Sequence, residues 1–394
     1  MPSKYRFYLL LVLSISVSNN LAQDIKRPLS PSITITEEYN DNIFLQDDIG
    51  STNQESSLKT TIVPKLSWLI KKGVDKIKLN TELEIGLYHS SHNDDYINKM
   101  FDALLHKEFS HRSKLELLTS YDYIIESRGS GQSQGADLSA LTSPNKYVDW
   151  TLGTKYVYGS NNSIGRIELN LDYLNKEYKN HRTTTQFLNY ESKSLATIFY
   201  YRVMPKTHLL FEVSRKNIEY DKTAVNGFSL DSDETKLQIG VKWKATQKTT
   251  GRAQIGRTRK QFDASGRGDS TLTSWEIGVR WSPLSYSSID LTTTGAPAET
   301  NGSGDFINHR SYQLAWKHNW NSSFATSLAT SFSNDSYEGS NRDEDLVSYS
   351  VGLNYKLKKW LSFSTEYKYS SRDSNIKAGD FDNNIVMFSV KIGY

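Results

Sequence analysis

Beyond its first segment the chain has no run of 18 apolar residues, yet apolar and polar residues alternate with a period of two along most of its length. Ile77, Leu79, Thr81, Leu83, Ile85 and Leu87 alternate with Lys78, Asn80, Glu82, Glu84, Gly86 and Tyr88. Ile167–Tyr173, Leu237–Trp243 and Leu361–Tyr367 follow the same rule against charged partners. Successive side chains on a strand point to opposite faces, so each segment reads as a strand with one apolar and one charged face. Transmembrane helices are excluded, because a helix needs about 20 apolar residues to span a bilayer. A tilted strand crosses with about ten, and this pattern supplies that length again and again.

The connections also alternate. Short turns fall near residues 71–75, 110–112, 159–162, 204–206, 246–249, 282–286, 321–322 and 358–359. Between them lie longer polar loops, the longest at Ser127–Asn145. Short turns at one end and long loops at the other predict an all-β fold: a single antiparallel transmembrane β-barrel of about 18 strands, with short periplasmic turns and long extracellular loops. The first strand is expected at Ser30–Tyr39 and the last at Asn384–Tyr394, with both termini at the short-turn end.

Composition agrees. Only 37% of residues are hydrophobic, but there are 24 Tyr, 15 Phe and 8 Trp. Trp68, Trp243, Trp281, Trp320 and Trp360 lie near short turns, while Tyr39, Tyr88, Tyr123, Tyr173, Tyr220 and Tyr337 lie near long loops. Two aromatic belts flanking an apolar band are what a bilayer selects in a barrel wall. There is no cysteine, which excludes disulfides, thiolate metal sites, cysteine nucleophiles and a lipoprotein anchor.

Lys4 and Arg6 precede the apolar run Phe7–Val17 and the small residue Ala22. This is the form of an export signal. The expected organisation is a signal peptide at 1–22, a short periplasmic lead at 23–29 and a barrel at 30–394. Without residues 1–22 the chain holds 45 basic and 44 acidic residues. So small an excess gives no field for a polyanionic duplex, and nucleic acid is excluded as a partner. The chain ends with Phe388, Val390, Ile392 and Tyr394 alternating with polar or small residues. An alternating apolar end closing on an aromatic resembles the membrane-insertion signal of bacterial outer-membrane proteins. It implies the barrel-assembly machinery as a partner, along with outer-membrane lipids and lipopolysaccharide.

The stretch Glu38-Tyr39-Asn40-Asp41-Asn42-Ile43-Phe44 at the end of the first strand resembles the start of an outer-membrane β-barrel porin family associated with bacterial exopolysaccharide operons. The strand and loop rhythm resembles that family over nearly the whole mature chain. The resemblance implies a Gram-negative outer-membrane location and a pore assisting export of polysaccharide, with polysaccharide and export-complex proteins as further partners. It implies no catalytic residues. Two alternatives stand beside it: a general diffusion porin for small solutes, and a closed structural or adhesive surface barrel.

Strand parity assigns the lumen face. Pore-lining candidates are Glu82, Glu84, Asp102, Glu116, Glu168 and Asp172 in the first half, and Lys236, Lys242, Arg252, Arg280, Lys317 and Lys356 in the second. That split predicts a field across the pore unless the charges pair between neighbouring strands. Tyr88 is an aromatic candidate for the lumen, but the sequence gives no clear aromatic track for sugar rings. The motif Gly266-Arg267-Gly268-Asp269 has the form of an adhesion tripeptide in a loop, built of residues that are also ordinary in turns. The eight histidines are scattered, and the acidic loop pieces lack the spacing of a calcium loop. No enzyme activity, metal or cofactor is expected.

Overall fold

The computed structural model describes residues 28–47, 54–135, 141–224, 227–244 and 248–393. The expected signal peptide, most of the lead and Tyr394 lie outside them. Eighteen antiparallel strands follow one another: β1 (Leu29–Asn40), β2 (Ser57–Lys72), β3 (Asp75–Tyr88), β4 (Tyr96–Ser110), β5 (Ser113–Glu126), β6 (Asn145–Tyr158), β7 (Gly165–Tyr178), β8 (Tyr190–Met204) and β9 (Thr207–Tyr220). The second half comprises β10 (Ser232–Trp243), β11 (Thr249–Phe262), β12 (Ser270–Leu284), β13 (Ser287–Glu299), β14 (Phe306–Asn319), β15 (Phe324–Glu338), β16 (Asp343–Lys358), β17 (Leu361–Ser374) and β18 (Phe381–Gly393). Each strand pairs with its sequence neighbours, and β1 pairs with β18, so the sheet closes into a barrel without edges.

Parity sets the two faces. Leu66, Trp68, Ile77, Leu83, Leu237, Ile239, Trp281 and Tyr349 project outward and are exposed, as an apolar band against lipid requires. Phe388 and Ile392 of β18 lie in this band, with Val390 between them. The strands run from 12 to 16 residues, longer than the 9–11 that a tilted strand needs to cross. They therefore extend beyond the hydrocarbon core.

The motif at the end of β1 fastens the closure. Beyond the backbone ladder, Asp41 Oδ1 accepts from the Asn384 amide and Oδ2 from Asn384 Nδ2, each at 2.7 Å. Asn40 Oδ1 accepts from Asn383 Nδ2 at 2.6 Å. Asn42, fully buried, donates to the carbonyls of Asp382 (2.9 Å) and Gln46 (2.7 Å). These short amide and carboxylate side chains satisfy backbone groups where the strands diverge into loops.

One ladder is incomplete. Pairing of β12 with β13 starts at the short-turn end and stops at Trp275 opposite Gly295, although both strands continue for four or five residues. Pro297 lies just beyond that point and has no amide to extend a ladder. Beyond that point β13 parts from β12 but stays paired with β14 as far as Glu299 opposite Phe306, and Glu299 meets Lys260 of β11 (3.1 Å) and the Tyr220 hydroxyl of β9 (2.8 Å).

Candidate functional site: the lumen and its two ends

The long-loop end is packed. Tyr88, Tyr147, Tyr178, Tyr220, Phe306 and Tyr337 are buried on the inner face at the loop ends of their strands. Tyr96, Tyr190 and Phe262 continue the collar, half-buried. Rings meet pairwise across neighbouring strands, with centroids 5.4 Å apart for Tyr147–Tyr178 and 5.3 Å for Tyr190–Tyr220. Cations lie between them: Lys176 is 3.7 Å from the Tyr147 ring centroid, and Arg342 is 4.5 Å from that of Tyr337. This corrects two sequence expectations. Tyr88, Tyr220 and Tyr337 do not join the outer belt, which keeps Tyr39 (47% exposed). An inner row of aromatics does exist, and it sits at the mouth.

The first half of the Ser127–Asn145 loop crosses that mouth. Arg128 forms a two-bond pair with Asp94 (Nε–Oδ1 2.8 Å, Nη2–Oδ2 2.5 Å) and stacks over Phe44 at 4.2 Å. That hydrogen-bonded carboxylate raises the proton affinity of the guanidinium above its ordinary value. Gly129 then takes a φ of +77° against the Phe44 carbonyl, where a Cβ would collide. Further along, Gln134 donates to Glu344 at the start of β16. Asn301 of the β13–β14 loop reaches back to the Gly131 carbonyl (3.3 Å) and the Tyr337 hydroxyl (3.2 Å). A loop rooted on β5 and β6 is thus held by strands on the far side of the barrel. Ile43 and Phe44 pack with Tyr88 beneath it.

Below the mouth the wall has two characters. From β2 to β12 the inner face carries large charged residues, mostly paired across strands. Lys65 meets Glu82 (2.8 Å), Lys155 meets Glu116 (3.4 Å), and Lys236 and Arg252 both meet Glu212 (2.6 and 3.4 Å). Arg280 meets Asp290 of β13 at 2.6 Å. Lys260, 1% exposed, is held by Glu234 and Glu299. Removing one partner of so buried a set costs about 3–5 kcal/mol. Glu84, Asp102 and Asp172 take neutral donors instead: the Tyr96 hydroxyl, Asn80 Nδ2 and the Ser194 hydroxyl. Glu168 accepts from the Tyr200 hydroxyl.

From β13 through β18 to β1 the inner face is mainly Ser, Thr, Ala, Gly and Asn. Hydroxyls pair across strands at Thr294–Ser311 (2.8 Å), Ser331–Ser348 (2.7 Å) and Thr36–Ser389 (2.8 Å). These side chains are short, so free cross-section lies against this wall. The pairing cancels most of the transverse field that parity suggested.

The charge that remains is axial. Within four residues of the short-turn end, the inner face carries a Lys or Arg on twelve of the eighteen strands. Lys71, Lys76 and Lys78 stand on β2 and β3, and Lys317, Lys356 and Lys391 on β14, β16 and β18. All six are exposed. The acids in that zone are Glu108, Glu116, Glu168 and Asp290. Three of these are already in ion pairs.

Other sequence candidates resolve locally. Arg267 of the tripeptide motif is buried and bonds the carbonyls of Ser229 and Phe228 and the carboxylate of Asp305. Its guanidinium is not presented to a partner. His106 and His309 contact Glu116 and Asp335. Among the described residues no group of three or more His, Asp or Glu has the geometry to hold a metal ion.

A closed eighteen-stranded barrel with an apolar girdle, a polar lumen, short turns and long loops is a pore-forming barrel of the Gram-negative outer membrane. The family described as "Putative beta-barrel porin 2" matches residues 28–394, and the chain belongs to it. Among solved structures, OccK2 (OpdF) of Pseudomonas aeruginosa is similar at 11% identity and a TM-score of 0.50, covering 93% of this chain and 98% of that one. OpdK of Pseudomonas aeruginosa (10%, TM-score 0.49, 93% and 99% covered) and OccAB4 of Acinetobacter baumannii (10%, 0.48, 93% and 99%) are similar too. At these identities the likeness is one of fold. Comparison with curated protein sequences gives no match.

Proposed function

We propose that the barrel assists export of a secreted polysaccharide across the outer membrane. The observation that carries this reading is the hydroxyl wall from β13 to β1. Short Ser and Thr side chains offer many weak hydrogen bonds and no deep pocket. A hydrated sugar chain can exchange such bonds with water at little cost and keep moving. On this reading Glu82, Glu84, Asp102, Glu116, Glu168, Asp172, Lys236, Lys242, Arg252 and Arg280 line the path on the charged wall, and Lys317 and Lys356 on the hydroxyl wall. Polysaccharide and export-complex proteins are then partners.

An in-frame deletion tests it. Cell-surface and secreted polysaccharide is expected to fall and to return on complementation. Unchanged polysaccharide would remove the reading. The loop across the mouth favours one alternative, a closed structural barrel. Planar-bilayer recording separates the two: an export pore conducts once residues 127–135 are replaced by a short linker, whereas a barrel closed along its whole lumen stays silent.

A further inference from the structure

We propose that Arg166, Lys242 and the Tyr200 ring between them bind carboxylate groups of an acidic polysaccharide, a substrate class that rests on the export reading above. Arg166 stands on β7, Tyr200 on β8 and Lys242 on β10, all on the inner face near the periplasmic end. The Arg166 guanidinium lies 4.0 Å from the Tyr200 ring centroid, and Lys242 Nζ lies 5.7 Å from it. The two charges are therefore closer than the sum of those lengths. Tyr200 is 1% exposed, and Leu210 beside it is equally buried.

The cations have no acid of their own. Among the described residues neither forms an ion pair. Arg166 Nη1 donates to Asn161 Oδ1 at 2.8 Å, and its Nε is buried without an acceptor. The acid nearest the cluster, Glu168, takes bonds from the Tyr200 hydroxyl (3.3 Å) and Asn170 Nδ2 (3.5 Å). Arg252 and Lys155 also act on Lys242 but are themselves paired with Glu212 and Glu116, while Arg202 with Arg166 and Lys242 surrounds His208.

A ring face holds one cation well, but two like charges on one ring repel each other. An orphaned buried N–H costs further free energy. An anionic oxygen reaching the lumen side of Arg166 and of Lys242 would relieve the repulsion, by charge-assisted hydrogen bonds and by neutralisation. The site lies near the short-turn end, the end from which an exported polymer would arrive. The exposed lysines of the opposite wall would repeat the same weak contact for the next acidic sugar.

The test uses the purified full-length barrel in detergent, titrated calorimetrically with hexagalacturonate and, separately, with maltohexaose as a neutral hexamer. The acidic hexamer should bind at least about tenfold more tightly. The double variant R166Q/K242Q should remove that preference. K78Q, which removes an exposed cation at the same end, should change affinity less than about twofold. Heat-modifiable migration of each variant on a gel checks that the barrel is folded.

Equal binding of the two hexamers, or an unaffected double variant, would overturn the proposal. So would inorganic phosphate competing as well as the hexamer, molecule for molecule. The outcome is separate from that of the deletion strain. Loss of polysaccharide without hexamer binding would retire this site and leave the pore. Hexamer binding with unchanged polysaccharide would do the reverse.

Discussion

The two ends of the lumen are built on opposite principles. At the extracellular end nearly every inner side chain is committed. Aromatic rings pack on one another, lysines and arginines sit on ring faces, and a loop from β5 is tied to β16. At the periplasmic end cations outnumber the acids that could pair with them, and Lys317, Lys356 and Lys391 stand exposed. One barrel thus has a mouth held by satisfied contacts and an entrance defined by unsatisfied ones. Stability is concentrated at the extracellular end, and cationic charge is left in excess at the periplasmic end.

The strongest way to break this contrast is to unfasten the mouth. Asp94→Asn removes the buried carboxylate from the half-buried Arg128, at a cost of about 1.5–3 kcal/mol to the loop's anchorage. Single-channel conductance should rise several-fold in planar bilayers. No change would mean that the crossing loop is not the barrier. Next in size is the entrance. Lys242→Glu should shift the reversal potential in a salt gradient toward cation selectivity. Lys65→Glu, at a position where the wild-type lysine is already neutralised by Glu82, should shift it less per charge changed.

The closure motif offers a third test. Asp41→Ala deletes two charge-assisted bonds to Asn384, worth about 1.5–3 kcal/mol each before water replaces them. The heat-modifiability midpoint should fall, with conductance unchanged in barrels that remain folded. The smallest effect belongs to the hydroxyl wall. Ser331→Ala loses one bond to Ser348 and should cost about 1 kcal/mol or less. A conductance or selectivity change as large as that of Lys242→Glu would mean that this wall, rather than the cationic entrance, controls permeation.

Much of the frame was legible in the chain alone. Period-two alternation fixed which residues share a face, and the contrast of turn lengths fixed the sense of the barrel. The strand number followed from both. The charge pairing was not legible, because Lys65 and Glu82, or Lys260 and Glu299, meet only once strand register is known. The inner aromatic collar was legible in principle. Tyr88 has the parity of Glu82 and Glu84, and Tyr178 that of Asp172 and Lys176. Position near a loop drew some of these tyrosines toward the outer belt, although parity is the stronger constraint.

The loop crossing was beyond reach. A segment reading Arg128-Gly-Ser-Gly-Gln-Ser-Gln-Gly135 has no apolar pattern, and its anchors Asn301 and Glu344 are more than 160 residues away. The Asn40–Phe44 motif could be seen but not understood until β18 lay beside β1.

That last contact bears on how the molecule is made. Asn40 and Asn383 are 343 residues apart in sequence, so their meeting is among the most entropically demanding events in folding. Every other neighbouring strand pair is joined by a turn or loop and can form as it emerges. The first and last strands have no connection to guide them. The side-chain clasp at their junction rewards one register alone, because a slip by one residue would present Asp41 to a different amide and turn the facing side chains about. A chain cut short before residue 381 would leave Asn40, Asp41 and Asn42 without their partners on β18. The clasp therefore favours the single register in which the first and last strands close the ring.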